Sequence, residues 1–257
     1  MKMDYSLERL VEIVAELRGE HGCPWDKAQT HESIKANLVE EAYEVVDAID
    51  AGDSEALCEE LGDVLLHVVF HSQIAKEDGE FNINDVIRAV IDKMIRRHPH
   101  VFGDENVSCE REVLRNWERI KQEEKDKASI FTGIPRALPS LMKAYKVQEK
   151  AARVGFDWES ADGAWAKIHE ELQELREAVE GADKARVAEE VGDLLFAVVN
   201  VARHLDIDPE LALKGTTDKF LARFKYIEAR AGEIGKAVEE MSLEEMDSLW
   251  EECKRLG

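Results

Sequence analysis

The chain repeats itself, and that repetition constrains its folding more than any local motif. Residues 40–70 laid over residues 170–200, a shift of 130 without gaps, agree at 12 of 31 positions. The shared residues include Glu40/Glu170, Glu41/Glu171, Glu44/Glu174, Asp53/Asp183, Glu60/Glu190, Gly62/Gly192 and Asp63/Asp193. With small changes of shift the likeness extends outward. Cys23-Pro24-Trp25-Asp26 answers Val154-Gly155-Phe156-Asp157, Asp92-Lys93 and Arg97 answer Asp218-Lys219 and Arg223, and Trp117 answers Trp250. A fixed internal period means one structural unit used twice. The expected organisation is therefore a domain over 1–125, a linker over 126–140 that holds two of the five prolines, and a second domain over 141–257.

Each half reads as helices. Apolar residues fall at 57, 61, 64, 65, 68 and 69, and again at 187, 191, 194, 195, 198 and 199. That spacing predicts helices with one buried stripe. Asp53 and Asp183 follow glycine-containing turns and are placed to cap the next helix. Asp208-Pro209 and Ser242 to Glu245 are two further start signals. No run of alternating β-branched residues appears, so an all-α fold follows. Helices are expected near 6–20, 30–51, 54–77, 84–97 and 110–125, then near 136–152, 160–180, 184–205, 209–231 and 242–255.

The pattern that carries chemistry is Glu-Glu-x-x-Glu, fifteen residues, then Glu-x-x-Asp. It comprises Glu40, Glu41, Glu44, Glu60 and Asp63 in the first half, and Glu170, Glu171, Glu174, Glu190 and Asp193 in the second. Residues three apart on a helix share a face. A turn between the two segments makes them a helical hairpin, with its acidic pairs opposed. In so acidic a chain, with 56 Asp plus Glu against 34 Lys plus Arg, a single acidic pair is an ordinary solvated face. These acids differ because they border apolar positions, where unpaired charge is costly. Gly62 and Gly192, in the middle of helices, point to close approach of another group. Four converging carboxylates call for a cation, and oxygen-only ligands select a hard one: Mg²⁺ first, with Mn²⁺ or Ca²⁺ as substitutes.

A divalent ion would bring a phosphate chain into a protein of net charge −22. The halves differ in the cations such a ligand needs. Lys167 and Arg186 precede Glu171 and Glu190 by one turn, whereas the first half has Asn37 and Ala56 there. Asn200, two turns beyond Asp193, is matched by Phe70. The second half is thus the expected active one.

These residues resemble the MazG family of nucleoside triphosphate pyrophosphohydrolases. The resemblance rests on GCPWDKAQTHESI, VEEAYEVVDAI, EELGDVLL and RRHPHVFGD in the first half. In the second it rests on VGFDW, EELQEL, EEVGDLLFAVVNVARH and DKFLARF. It implies two helical domains of four-helix-bundle type, and Mg²⁺-dependent hydrolysis of NTPs and dNTPs between the α and β phosphates. Glu171, Glu174, Glu190 and Asp193 would be the metal ligands, and Glu170 a water activator or outer ligand. Lys167, Arg186, Lys219 and Arg223 would hold phosphates, Trp250 would meet base or ribose, and Glu189 and Asn200 complete the nucleotide-binding set. Glu41, Glu44, Glu60 and Asp63 would form a second metal site in a structural or weakly active half. The resemblance further implies a homodimer that completes its bundles between subunits.

Other features read differently. His67 and His71 lie one turn apart on the face of Asp63, which admits either a Zn²⁺ site or polar packing; His98-Pro99-His100 follows a helix end. Trp25, Trp117, Trp158 and Trp165 are expected as core or interface anchors. The absence of a GxxxxGK[ST] loop excludes a P-loop enzyme. The acidic balance argues against nucleic-acid and membrane-surface partners. Four dispersed cysteines and a charged start without an apolar leader suit the cytoplasm. The alternative to an enzyme is a non-catalytic helical adaptor or nucleotide sensor, with the carboxylates as relics.

Overall fold

A computed structural model of the chain describes residues 5–123 and 129–256. Every regular element among them is helical. In order they are α1 (Leu7–Arg18), α2 (Pro24–Ala28), α3 (His31–Ala51), α4 (Ser54–Glu77), α5 (Ile83–Arg97), α6 (Pro99–Phe102) and α7 (Glu110–Glu123). They continue as α8 (Ser140–Ala152), α9 (Ala161–Glu180), α10 (Lys184–His204), α11 (Pro209–Glu233), a 3₁₀ turn (Val238–Glu240) and α12 (Leu243–Leu256). The chain divides into two compact units, Met1–Glu124 and Lys125–Gly257. No helix among the described residues is long and apolar enough to cross a membrane.

The caps are those the sequence marks. Asp53 accepts hydrogen bonds from the backbone of Glu55 and Ala56, and Asp183 does the same for Ala185 and Arg186. Asp208 caps α11 ahead of Pro209. Ser242 and Glu245 bond each other's backbone N–H in a capping box at the start of α12. These caps fix where each helix begins, and so which side chains share its face.

Each unit is built around a hairpin of two long antiparallel helices, α3 with α4 and α9 with α10. A helix from before the hairpin packs on its second arm, α1 on α4 and α8 on α10; α5 and α11 follow, carrying α7 and α12. The core of the first unit is Val14, Ile34, Val69, Phe70 and Ile74. A cluster of Ile227, Ala231 and Met241 joins α11 to the end of the second unit.

Four details differ from the sequence expectation. α8 starts at Ser140 rather than near 136, after a run of turns whose Ile130 and Thr132 carbonyls accept from Lys150. The expected linker residues 126–128 lie outside the described residues. Two short helices, α2 and α6, each begin at a proline that presets the helical φ. The expected buried stripe is only partly buried. Val69 and Val199 are sealed, yet Leu61, Leu65, Val191, Leu195 and Val198 are exposed. Nor does anything within the chain approach Gly62 or Gly192, because a Cβ at either would meet no atom within 4 Å.

Candidate metal and nucleotide site

In the second unit the hairpin brings three acids together. Oxygen atoms of Glu171, Glu174 and Glu190 all lie within 4.8 Å of one another. Glu171 and Glu190 are buried, at 4% and 7% exposure. Lys167 balances the first, its Nζ 2.6 Å from Glu171 Oε1 and 2.9 Å from Glu170 Oε1. Arg186 Nε lies 3.4 Å from Glu190 Oε1. Burial, followed by the charges of Glu190, Glu171 and Glu170, raises the Glu174 carboxyl above the ordinary carboxylate range. Asp193, the expected fourth ligand, stands outside this trio, exposed on the next turn of α10. Glu170 is an exposed partner of Lys167. Three convergent carboxylates, two of them buried, are a set of oxygen donors that fits a hard divalent ion.

Beside the trio opens a cavity of about 680 Å³. Lys167, Glu171 and Asp193 are among its lining residues, and Phe131, Phe156, Trp158 and Phe196 supply aromatic surface. Gly163 has a structural reason here, since a Cβ would fall 2.3 Å from the Trp158 ring. Two buried amides face the cavity. Gln148 donates to the Phe196 carbonyl at 2.8 Å, and its own Oε1 is buried without a protein partner. Asn200 Oδ1 accepts from Arg203 Nε at 3.0 Å and Nη2 at 2.8 Å, which fixes the amide's orientation. Arg203 is held in turn by Asp157. Burial pushes the Asp157 carboxyl up, but Arg203 and His204 outweigh it and hold the group below its usual range. The cavity thus offers a hydrogen-bond acceptor, an amide donor and aromatic faces next to a carboxylate cluster. A nucleoside joined to a charged chain would need such a set.

Gln148, Arg203, Phe156 and Phe196 were not singled out by the sequence, and Trp158 lines the cavity where a core or interface anchor was expected. The signal that could have found them lies in the positions where the halves disagree. At the same shift of 130, Gln148 faces Arg18, Asn200 faces Phe70 and Arg203 faces Gln73.

The first unit has its own trio, Glu41, Glu60 and Asp63, also mutually within 4.8 Å. Burial raises the Glu41 carboxyl first, then a hydrogen bond with Glu44 and the neighbouring acids; burial and Glu44 raise Glu60. Glu44, expected among the ligands, stands outside the converging trio but hydrogen-bonds Glu41 and repels Glu60.

The structure does not bring the remaining expected residues to the cavity. Lys219 is exposed on α11 and Glu189 on α10. The Arg223 guanidinium lies 5.3 Å over the Trp250 ring, which packs on Phe220 at 5.1 Å. The first unit repeats the arrangement with Arg97 over Trp117 at 5.4 Å. His98 packs edge-on to Trp117 at 4.8 Å and bonds the Met94 carbonyl, which gives the His-Pro-His segment a role in packing.

A family model for the MazG nucleotide pyrophosphohydrolase domain matches the chain twice, over residues 29–102 and 160–228. The chain is 48% identical to a nucleoside triphosphate pyrophosphohydrolase/pyrophosphatase MazG from Thermotoga maritima, over 96% of this chain and 95% of that one. It is 45% identical to a nucleoside triphosphate pyrophosphohydrolase from Escherichia coli, over 97% of each. A Mycobacterium tuberculosis protein of the latter name is 35% identical, over 79% of this chain and 65% of that one.

Proposed function

The chain belongs to the MazG nucleotide pyrophosphohydrolase family, and from that premise we propose that it is a nucleoside triphosphate pyrophosphohydrolase whose C-terminal unit performs the chemistry. The reaction releases the nucleoside monophosphate and pyrophosphate by cleavage between the α and β phosphates. One observation carries this reading: the acid trio of α9 and α10, two of its members buried, adjoins a cavity large enough for a nucleoside and lined to receive one.

Glu171, Glu174 and Glu190, with Asp193 beside them, would hold Mg²⁺ or Mn²⁺, which when bound neutralises phosphate oxygens and lowers the pKa of a water. The chain's own part is positioning. Trp158, Phe156 and Phe196 cover the faces of the base, while the Asn200 amide and Gln148 Oε1 address its edge. Asp157 and Arg203 hold Asn200 in place. Lys167 and Arg186 are the cations nearest the acids, and they turn to the phosphates once those acids are otherwise neutralised. Glu170 tethers Lys167 at the rim. Lys219, Arg223 and Trp250 act on the nucleotide only if a second copy or a movement of α11 brings them to it.

We also infer a homodimer. Apolar side chains exposed on both hairpins, Leu61 and Leu65 on α4 and Val191, Leu195 and Val198 on α10, suit burial against a second copy. Four free cysteines accord with a reducing cytoplasm.

The test is pyrophosphate release from mixed NTPs with Mg²⁺. Glu174→Gln is expected to lower kcat/KM by at least about 100-fold, the scale of losing one electrostatic group at a phosphoryl-type site. Glu44→Gln should stay within about 2-fold of wild type, as a surface change away from the reacting groups does. Equal losses in both variants would defeat the assignment to the second half. Absence of turnover with every nucleotide would favour the adaptor reading.

A further inference from the structure

The cavity of the second unit is lined by a residue with one polar atom that the fold itself does not use. Gln148 is 7% exposed, and its Nε2 donates to the Phe196 carbonyl at 2.8 Å, which ties α8 to α10. Turning the amide over would set Oε1 against that carbonyl, two acceptors face to face, so Oε1 is the atom left over. It is buried without a protein partner, on a residue of the cavity lining. Such atoms are few in native proteins and each needs an explanation. Asn200, the other buried amide of the lining, differs in kind. Its Oδ1 is already taken by Arg203, so only its NH₂ is left for a ligand. At the shift of 130 Gln148 faces Arg18, whose guanidinium is engaged by Glu77 and by the carbonyls of Asp26 and Gln29. The first unit has no acceptor at that position.

We propose that Gln148 Oε1 accepts a hydrogen bond from an N–H of the bound base, so that the protein takes triphosphates whose base carries such a donor and discriminates against those whose donors are removed. Adenine offers the donor at N6, cytosine at N4, guanine at N1 and N2, and uracil and thymine at N3. The acceptor alone does not choose among these bases. It refuses a base stripped of its donors, which Phe131, Phe156, Trp158 and Phe196 would otherwise admit by stacking. The energetics favour this role. The cost of burying an unpaired oxygen is already carried by the folded protein before a ligand arrives. A donor that reaches the oxygen recovers that cost on binding, whereas a donorless base leaves it standing. Asp157, an acceptor of the same lining, is already held by Arg203 and His204. The inference rests on the placement of a nucleoside in this cavity, and it adds the rule by which the base is read.

The test uses two pairs of triphosphates that differ only by an exocyclic amine replaced with hydrogen. They are ATP against purine riboside triphosphate, and CTP against pyrimidin-2-one riboside triphosphate. In adenine and cytosine that amine is the base's only N–H donor. Pyrophosphate release with Mg²⁺ is measured for all four on the full-length wild type, Gln148→Met and Gln148→Leu; methionine keeps the length of the side chain without its amide. Wild type is expected to favour the amine-bearing member of each pair by at least about 10-fold in kcat/KM, the scale of one hydrogen bond at a buried acceptor. Both variants should bring each ratio within about 2-fold of unity. Equal kcat/KM within either pair in wild type would overturn the proposal, and that result needs no variant to fold. Ratios that persist in the variants would overturn it too, because another acceptor, Asp157 foremost, would then read the amine. A Gln148 that merely packs would give that outcome, with all four rates lowered together. Turnover of no nucleotide at all would count against the hydrolase reading instead. Dissociation constants of the four α,β-methylene triphosphates, from isothermal titration calorimetry, then decide this inference by the same ratios.

Discussion

The two halves fold by one plan, yet they treat the same space beside the hairpin in opposite ways. In the second unit Gln148 and Asn200 line a cavity of about 680 Å³. In the first, the shift of 130 places Arg18 and Phe70 opposite them, and those two side chains pack on each other. The Arg18 guanidinium lies 5.2 Å over the Phe70 ring and donates to the Asp26 carbonyl at 2.6 Å, the Gln29 carbonyl at 3.1 Å and Glu77 at 2.8 Å. Phe70 belongs to the core. The two units thus keep the same acids while differing in the side chains beside them. The first unit gains a core aromatic and a half-buried ion pair; the second keeps the Gln148 Oε1 lone pairs turned to a cavity. That difference accords with the proposal that the second unit performs the chemistry.

Exchanging the residues that differ should break the contrast. Asn200→Phe places the first unit's plug in the second unit's cavity and removes the acceptor of two Arg203 hydrogen bonds. Nucleotide affinity should fall by about 30- to 150-fold, the equivalent of roughly 2–3 kcal/mol for one well-placed polar contact and the space around it. Isothermal titration with a non-hydrolysable triphosphate measures it. The acids are untouched, so Mg²⁺ binding without nucleotide should persist. Wild-type nucleotide affinity in this variant would remove the cavity from the account.

The reverse exchange, Arg18→Gln, should act on stability instead. It takes the guanidinium from three acceptors, of which Glu77 keeps Gln73 and the Asp26 carbonyl keeps the Gln29 N–H. Glu77 is 37% exposed, so solvent screens that part of the loss, and about 2 kcal/mol is expected in total. Amide exchange along α1 and α4 should quicken accordingly, while exchange in α9 and α10 and pyrophosphate release stay as in wild type. Loss of activity would mean that the first unit does more than support.

Most of this architecture was legible in advance, and what was missed has a physical reason. The helix hairpins followed from apolar period and caps, both local properties, and Asp53, Asp183 and Ser242 are bonded as their neighbours predict. Convergence of Glu171, Glu174 and Glu190 followed from spacing on paired helices. Exposure of Leu65 and Leu195 did not, because an apolar stripe records only that something covers it, and not whether that is the same chain. The cavity was hidden for another reason. Its walls come from α8, the segment before α9, and α10, so no window of sequence contains them. Gln148 is an unremarked polar residue until its bond to the Phe196 carbonyl shows which way the amide faces.

Protons should sharpen the comparison further. Glu41 and Glu60 in the first unit are both raised, by burial before all else, and in the second only Glu174 is, with Lys167 opposing. A carboxyl raised on folding binds its proton more tightly in the folded chain. Its contribution is complete below the unfolded value, near about 4.3 for Glu, and is lost as pH rises through the folded value. Each raised carboxyl should therefore add stability to the metal-free protein as pH falls from neutrality toward about 5. In the first unit His71, whose pKa burial and the neighbouring histidines lower, opposes that gain over the same range, so the second unit gives the cleaner rise. Glu77, Glu149 and Asp157 are depressed and work the other way. Their stabilisation is lost only as pH falls through their folded values, below the ordinary carboxylate range, so it does not oppose the trend in this window. Saturating divalent ion should abolish the trend. Thermal unfolding followed by unit-resolved amide exchange, with and without the ion, checks the sign; a metal-free protein that weakens steadily on acidification would contradict it.

The smallest expected effect sits at the hairpin turns, where the copies differ by the placement of one glycine. Before Asp53 the left-handed residue is Gly52, at φ 66°; before Asp183 the same position holds Ala182, at φ 54°, with Gly181 one residue too early at φ −74°. A Cβ at Gly52 would meet nothing within 4 Å, so the difference is one of backbone strain rather than crowding. The left-handed conformation costs an L-residue about 1–2 kcal/mol, and glycine in exchange surrenders roughly 0.5–1 kcal/mol of unfolded-chain entropy. Ala182→Gly should thus stabilise the second unit by about 0.5–1 kcal/mol, and Gly52→Ala should destabilise the first by a similar amount. The urea dependence of amide exchange at the first turns of α10 and α4 resolves the two separately. Opposite signs are required, since both substitutions act on the same dihedral. Destabilisation by both would mean that the turn before α10 has a different conformation from the turn before α4.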